Sequence, residues 1–515
     1  MIAEAFLVAP LAEARIVKDN YTTQNAIEQA NDIGRESATV TNQQPLMVFK
    51  DMWAAVLFIL QCIVIISLAI NVVLKSLLVS DNDNTDENGL VTIILACGVL
   101  GLLATIMGTI CLNLILRNAD FIIEGVLWVN IAVCSFGAVL CLASGGAFAF
   151  AIILAIAAAL SYWYLISVAS RIAFASAVLS VACRAIKDNY VGVLFSAYFL
   201  LVAQLGWFIL WAAASYGVGI TFIKDGNDSR PSNDDYDNVE LSGGQVSIAI
   251  LLLLSLHWGS EVMRSLLQTT VNGVIACWWF QPERKAVVRG ALFRSMTTSF
   301  GSVCLGSFVV SVIHTLRDIL RMVSNKDEGT SRRERGGGGN AVAAKLLECI
   351  LGLIEGALMY FNKYAYCYVA GYGMGFIESA RKVTTLFSQK GLTAIVNDNL
   401  VGNALNFALF GMTVITALMG YFSTLFLGPK LLAVGITDPS IMLSIIGAMM
   451  GFAVGSVLTS ALTSGVAMVF VCMAEDPESL KVRTYVRRVN RIISSKIPTV
   501  HIRRNLCPIH HNDVY

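Results

Sequence analysis

Of the 515 residues, 56% are hydrophobic and 14% are charged, the formal net charge is +1, and the mean hydropathy is +0.69. A soluble domain carries roughly 25% charged residues, so these values exclude an ordinary soluble globular protein. The near-balanced charge gives no footprint for a nucleic-acid partner.

Residues 1–50 are mixed and polar, with Arg15, Lys18, Arg35 and Lys50 scattered among amides and threonines. They lack the ordered charged, apolar and small-residue regions of a signal peptide, and read as a cytosolic N-terminal arm. Apolar runs of about 20 residues, the length that crosses a bilayer, then predict ten spans. These fall at roughly 53–78, 90–116, 120–143, 146–169, 190–220, 245–275, 298–323, 346–375, 400–427 and 439–474. Runs this long without strand alternation favour helices over a barrel. The expected fold class is an all-α polytopic membrane protein with a ten-helix domain over 51–475 and a basic cytosolic tail over 476–515.

Loop charge sets the expected orientation. The connection at 80–88 holds Asp81, Asp83, Asp86 and Glu87 with no Lys or Arg, and 224–244 is also acidic. The second carries a glycosylation sequon at Asn227, usable only on the outer or luminal face. The stretches 170–189, 283–294 and the tail are basic, which places both termini in the cytosol. The basic linker 324–342, with the run Gly336–Gly339, breaks this pattern. Either the seventh span is re-entrant, or 346–380 crosses differently, or the charge rule fails there. Eleven cysteines lie in or near the spans and Cys507 lies in the tail, which argues for packing residues rather than external disulfides.

Small-residue stripes predict close packing: Gly447, Gly451 and Gly455 in the last span, and an alanine-rich fourth span expected inside the bundle. Polar residues within spans carry the functional expectation, because an intramembrane charge costs at least a few kcal/mol. In the sixth span Glu261, Arg264, Gln268 and Asn272 recur at helical spacing beside Trp258. They line either a permeation route or an anchoring Glu261–Arg264 pair. In the eighth span Glu348 and Glu355 share a face and lead into Tyr360, Asn362, Tyr364 and Tyr366. Asn362 and Lys363 there point to a broken or ending helix, as ligand sites often have, or to an interfacial aromatic belt. Trp207 and Trp211 of the fifth span share a face with Gln204, as a cation–π cage or as lipid-facing residues. Glycines 371, 373 and 375 are hinge candidates. No nucleotide, zinc or nucleophile motif occurs, so neither cofactor, metal site nor enzymatic activity is expected.

Several blocks resemble the choline transporter-like family. They are Phe49-Lys-Asp-Met-Trp53, Arg171-Ile-Ala-Phe-Ala175, Gln268-Thr-Thr-Val-Asn-Gly273 with Trp278-Trp-Phe280, and Ser299-Phe-Gly-Ser302 through Gly306-Ser307 to Leu316-Arg317. The most specific are Tyr360-Phe-Asn-Lys-Tyr-Ala-Tyr366 with Gly373, Phe376 and Ser379-Ala380, and Ala474-Glu-Asp-Pro-Glu478. The short first external loop, without cysteine, resembles a compact fungal- or protist-like branch. Ala173 stands where the family leads one to expect proline, and Glu261 where an amide is expected.

The resemblance implies a ten-helix carrier of choline or a related organic cation, working by alternating access, with proton exchange as one coupling mode. It implies a binding cavity among spans 5, 6 and 8, built from Trp207, Trp211, Trp258, Glu261, Gln268, Asn272, Glu355, Tyr360, Asn362, Tyr364 and Tyr366. The expected partners are the cation, protons and membrane lipids. The expected location is the plasma membrane, with an organelle membrane as the alternative. Transport of ethanolamine or another amine or lipid headgroup, and a non-transporting scaffold, are the rival readings.

Overall fold

Within a membrane, apolar runs of this length satisfy their backbone polar groups internally only as helices. The computed structural model describes residues 49–79, 87–143, 148–228, 243–281, 286–331, 338–390, 393–433 and 438–476. Among the described residues there are twelve helices and no strand. In chain order they are α1 (Met52–Val79), α2 (Glu87–Arg117), α3 (Ala119–Ala143), α4 (Phe148–Asp188), α5 (Tyr190–Asp228) and α6 (Gly243–Phe280). Then come α7 (Val287–Met296), α8 (Phe300–Ser331), α9 (Gly338–Tyr372), α10 (Phe376–Lys390), α11 (Thr393–Ala433) and α12 (Pro439–Glu475). Nine are long and apolar enough to cross a membrane, so the protein is an all-α polytopic membrane protein.

The expected span 346–375 falls in α9, which is not one of the nine because Glu348, Glu355 and Lys363 dilute its apolar character. It is nevertheless helical throughout, and it packs against both α6 and α8. The break expected at Asn362–Lys363 does not occur. Asn362 stays in helix because its side-chain amide bonds to the backbone of α8, and the chain turns instead at Gly373, whose φ of 67° is open to glycine. After that turn α10 folds back along α9. The basic stretch 170–189 is likewise helical, continuing α4. Its Ala175, Leu179, Ala182 and Ile186 recur every three or four residues and are buried. Of the stretch read as a linker, 324–331 continue α8 and 338–342 open α9, while 332–337 lie outside the described residues. The stretches 1–48 and 477–515, expected to be cytosolic, and the acidic stretch 229–242 also lie outside them, as does the side chain of Asn227.

The helices belong to one compact unit, Pro45–Ala474. Its centre is the trio α6, α8 and α9, each packed on the other two, and α8 is the most deeply buried of the candidate spans. α1 joins α5 to α8, and the short α7 braces α6. The alanine-rich part of α4 packs on α3 but leaves Ile152, Ile153, Ile156 and Leu160 exposed. It therefore lies on the lipid-facing rim, not inside the bundle as its composition suggested.

α12 uses its glycines as expected. A methyl group on Gly447 would strike the Thr416 carbonyl and the Cα of Gly420 on α11, and one on Gly451 would strike the Thr416 side chain. A methyl on Gly420 would meet the backbone of Leu443 and Ser444 in turn, so two helix backbones touch at this crossing. Gly420→Leu or Gly447→Leu should lower the thermal midpoint of the detergent-solubilised protein by several degrees, from an overpacking cost of about 1–3 kcal/mol. Gly411→Ala on the same helix, where the added methyl meets open space, should not.

Candidate functional site

Polar residues recur at helical spacing on each of the three central helices, and the faces meet. On α8 they run from Ser302 through Ser307, Ser311, His314 and Asp318 to Arg321. On α9 Glu348, Glu355, Asn362 and Tyr366 share a face at spacings of seven, seven and four. On α6 the stripe holds His257, Glu261, Arg264 and Ser265. Because α8 runs antiparallel to the other two, the three stripes close into one seam.

The charged half lies toward the Ser331 end of α8. Arg321 Nε donates to Glu348 at 2.6 Å and lies 3.6 Å from Asp318. Asp318 is 2.9 Å from His257 Nε2, and the His257 ring stacks on His314 with centroids 5.5 Å apart. His314 stands between two carboxylates: Nδ1 is 3.4 Å from Glu355 and Nε2 is 3.8 Å from Glu261. Each of those acids also meets a guanidinium, Arg317 at 2.6 Å from Glu355 and Arg264 at 3.0 Å from Glu261. These side chains keep between 13% and 45% of their surface uncovered. Charges within a membrane bundle pair with one another or face water rather than lipid, and here each has a partner while keeping some open surface.

The neutral half continues the seam. Ser307 donates to Ser265 at 3.0 Å and lies 3.2 Å from the Tyr366 hydroxyl. Tyr366 donates to the Val303 carbonyl, and the Asn362 amide donates to the Gly306 carbonyl and to Tyr366. Gly306 is needed here, since a Cβ would strike Phe376, Tyr366 and Asn362. The Asn362 side-chain oxygen and both polar atoms of Asn272 are buried without a hydrogen-bond partner. Unmet groups of that kind cost about 1–3 kcal/mol each.

At the far end Asp51 closes the seam. Its carboxylate accepts from Ser302 Oγ at 2.7 Å and from the Phe376 backbone N–H that opens α10, at 2.9 Å. Its φ of 52° is a left-handed conformation uncommon outside glycine, and Gly301 and Gly375 leave room for the chain there.

The other expected site residues distribute as follows. Trp207 is buried against Ile65, Ala69 and Ala214, with its indole on the backbone of Gly259. Trp211 donates to the Leu252 carbonyl at 2.8 Å. Trp258 donates to the Cys304 carbonyl and lies edge-on to Phe58 and Phe308. Gln268 donates to Ser460 of α12 at 3.3 Å. Tyr360 and Tyr364 lie on roughly the opposite side of α9 from Glu355, at 100° per residue. There they pack on Phe387 of α10, with the Lys363 ammonium 5.1 and 5.4 Å from their ring centroids. The structure thus joins Glu261, Glu355, Asn362 and Tyr366, and no contact among the described residues joins them to Trp207 or Trp211. Sequence reasoning missed the α8 stripe, His314 and the Asp51 contact. The five-, four- and three-residue spacing from Ser302 to Arg321 was the available signal for the first two.

A membrane-spanning helical bundle with a charge-lined seam through its centre is an architecture that suits a membrane transporter. Residues 152–478 match the family described as plasma-membrane choline transporter, and this chain belongs to that family. It is 29% identical over 430 residues to Protein PNS1 of Eremothecium gossypii, covering 80% of this chain and 73% of that protein. It is 29% identical over 341 residues to a CTL-like protein of Dictyostelium discoideum, covering 65% and 55%. Saccharomyces cerevisiae Protein PNS1 is 30% identical over 338 residues, covering 62% and 58%. The alignments with the last two therefore span little more than half of each relative. The branch expected from the short first loop agrees with these fungal and protist relatives.

Glu355→Gln strands Arg317, so it should destabilise the protein by about 1–3 kcal/mol. That is less than the ~3–5 kcal/mol of a fully buried pair, because Arg317 remains 27% exposed. Adding Arg317→Met should restore most of the loss, as read by thermal unfolding in detergent.

Proposed function

We propose that the protein carries choline or a related organic cation across the plasma membrane by alternating access, using the α6–α8–α9 seam as its binding route. The convergence of Glu261 and Glu355 from separate helices on one histidine carries this reading. It brings two carboxylates to one ring, and a single cation entering there would gain from both. Beyond them Tyr366, Asn362 and Asn272 offer an aromatic face and unsatisfied polar atoms to a hydroxyl-bearing or ammonium-bearing cargo. Tyr360, Tyr364 and Phe387 form a second aromatic surface, on which the Lys363 ammonium already rests. Such contacts contribute about 0.5–2 kcal/mol each, depending on desolvation. Membership of the plasma-membrane choline transporter family supports choline as the first cargo to test. Proton exchange is the proposed coupling, and ethanolamine the alternative cargo.

The Glu261–Arg264 and Glu355–Arg317 pairs favour a second reading, in which the acids only fix helix register in a scaffold. Uptake of radiolabelled choline into proteoliposomes separates the two. Saturable uptake above empty liposomes, cut at least about tenfold by Glu261→Gln with reconstitution unchanged, is the carrier result. Uptake of ethanolamine but not choline would keep the carrier and change the cargo. No uptake of either would leave the scaffold reading.

A further inference from the structure

Only two of the five histidines lie outside the tail, and they are His257 and His314, whose rings stack in the middle of the seam. We propose that this pair is the protein's proton site, and that a proton on it and the cargo cation are alternative partners for Glu261 and Glu355. The proposal rests on the carrier reading above and assigns that reading's coupling group.

Hydrogen-bonding geometry carries it. A neutral imidazole has one N–H and one lone pair, whereas an imidazolium has two N–H donors. His314 has Glu355 at Nδ1 and Glu261 at Nε2, so only the protonated ring can offer a donor to each carboxylate. As it stands, Nε2 is buried without a hydrogen-bond partner at the 3.8 Å gap to Glu261. The seam is thus held between two arrangements. With the ring protonated, His314 draws in both acids and their charge is spent within the protein. With the ring neutral, Glu261 retains only Arg264, itself the more exposed member of that pair, and its negative charge is open to a cation entering the seam.

His257 is the second ring of the pair. It is stacked on His314 and is 2.9 Å from Asp318. Asp318 faces Arg321, which holds Glu348 near the outer limit of the α8 span. Among the described residues, the charged groups facing the pair come from three helices: Glu261 and Arg264 from α6, Arg317, Asp318 and Arg321 from α8, and Glu348 and Glu355 from α9. Lys345, one turn before Glu348, and Lys363 flank this set on α9. Histidine is the side chain whose ordinary titration range spans neutral pH, which suits a group that must both take up and release a proton. The exchange is balanced in charge. One monovalent cation enters the space between the carboxylates, and one proton leaves the imidazolium to water.

The test uses the full-length protein in weakly buffered detergent, with choline as the probe and a pH indicator as the readout. The wild type should release up to one proton per choline bound. Its apparent affinity should fall by as much as about tenfold per pH unit on the acid side, the limit for one competing proton. His257→Gln/His314→Gln, checked for a monodisperse profile and an intact thermal transition, should bind choline with no proton release and a flat pH profile. If the double variant does not fold, His314→Gln alone serves, with the same expected loss of release. Wild-type binding without release overturns the proposal and leaves the carrier reading standing. Undiminished release from the variant also overturns it, assigning the proton to the carboxylates. Absence of binding by choline and ethanolamine to the wild type sinks the carrier reading itself. The thermal midpoint from pH 5.5 to 8.5 without ligand then decides the proton site. A pH-linked transition in the wild type that is missing from the variant supports it, and identical profiles overturn it.

Discussion

The cost of placing charge where water is scarce governs this structure. Moving an ionised side chain into a membrane interior costs several kcal/mol unless another charge, a fixed dipole or water takes the place of its hydration. The central helices meet that demand collectively. Acids of α6 and α9 turn toward the bases of α8, and each charge keeps only part of its surface uncovered. Helices of the rim, such as α3 and the first half of α4, carry almost no charge and present isoleucine, leucine and valine outward. The division between a polar trio and an apolar surround follows from this one constraint, and so does the antiparallel register that aligns the stripes.

The seam is graded along its length. Ion pairs dominate at one end, hydroxyls and amides occupy the middle, and a single carboxylate fastens the other end to backbone N–H. A cation moving along it would pass from strong, long-range attraction to short-range, directional contacts. Grading of this kind limits the depth of any one binding step, and a carrier needs cargo to leave as well as to enter. Asn272 and the Asn362 oxygen are buried acceptors and donors with unmet capacity. In a static scaffold such groups would be a net loss of stability; in a carrier they are held in reserve for another arrangement or a bound guest.

Much of this was legible in the sequence. The apolar runs and their length define nearly every span, and Glu261, Glu355 and Arg264 announce themselves as charges within such runs. The glycine stripe of α12 is read correctly from spacing alone. Four features were not legible, each for a physical reason. Asn362-Lys363 looks like a helix break, but an amide bonded to a neighbouring carbonyl is as much at home in a buried helix as an apolar residue. The basic residues of 170–189 look like a loop, because charge count hides an alanine- and isoleucine-rich face with helical period. Tyr360, Tyr364 and Tyr366 read as one cluster, but the 100° step sends Tyr366 to the acids and the other two to α10. The α8 stripe was harder still, since serine is polar enough to line a route yet too common in spans to stand out.

Asp51 has a consequence for how the protein is made. Its two partners, Ser302 and the Phe376 N–H, lie 251 and 325 residues further along the chain. At roughly 5–20 residues per second of synthesis, the start of α1 waits on the order of 15–65 s after translation before the second partner exists. Through that interval four further apolar helices, the short α7 and the central trio are produced. The first helix must therefore take its place without the contact that finally holds it, and its left-handed anchor residue can be locked only after α10 has folded back. A chain truncated between residues 303 and 375 would retain all of α1 and the Ser302 partner and still lack the Phe376 N–H.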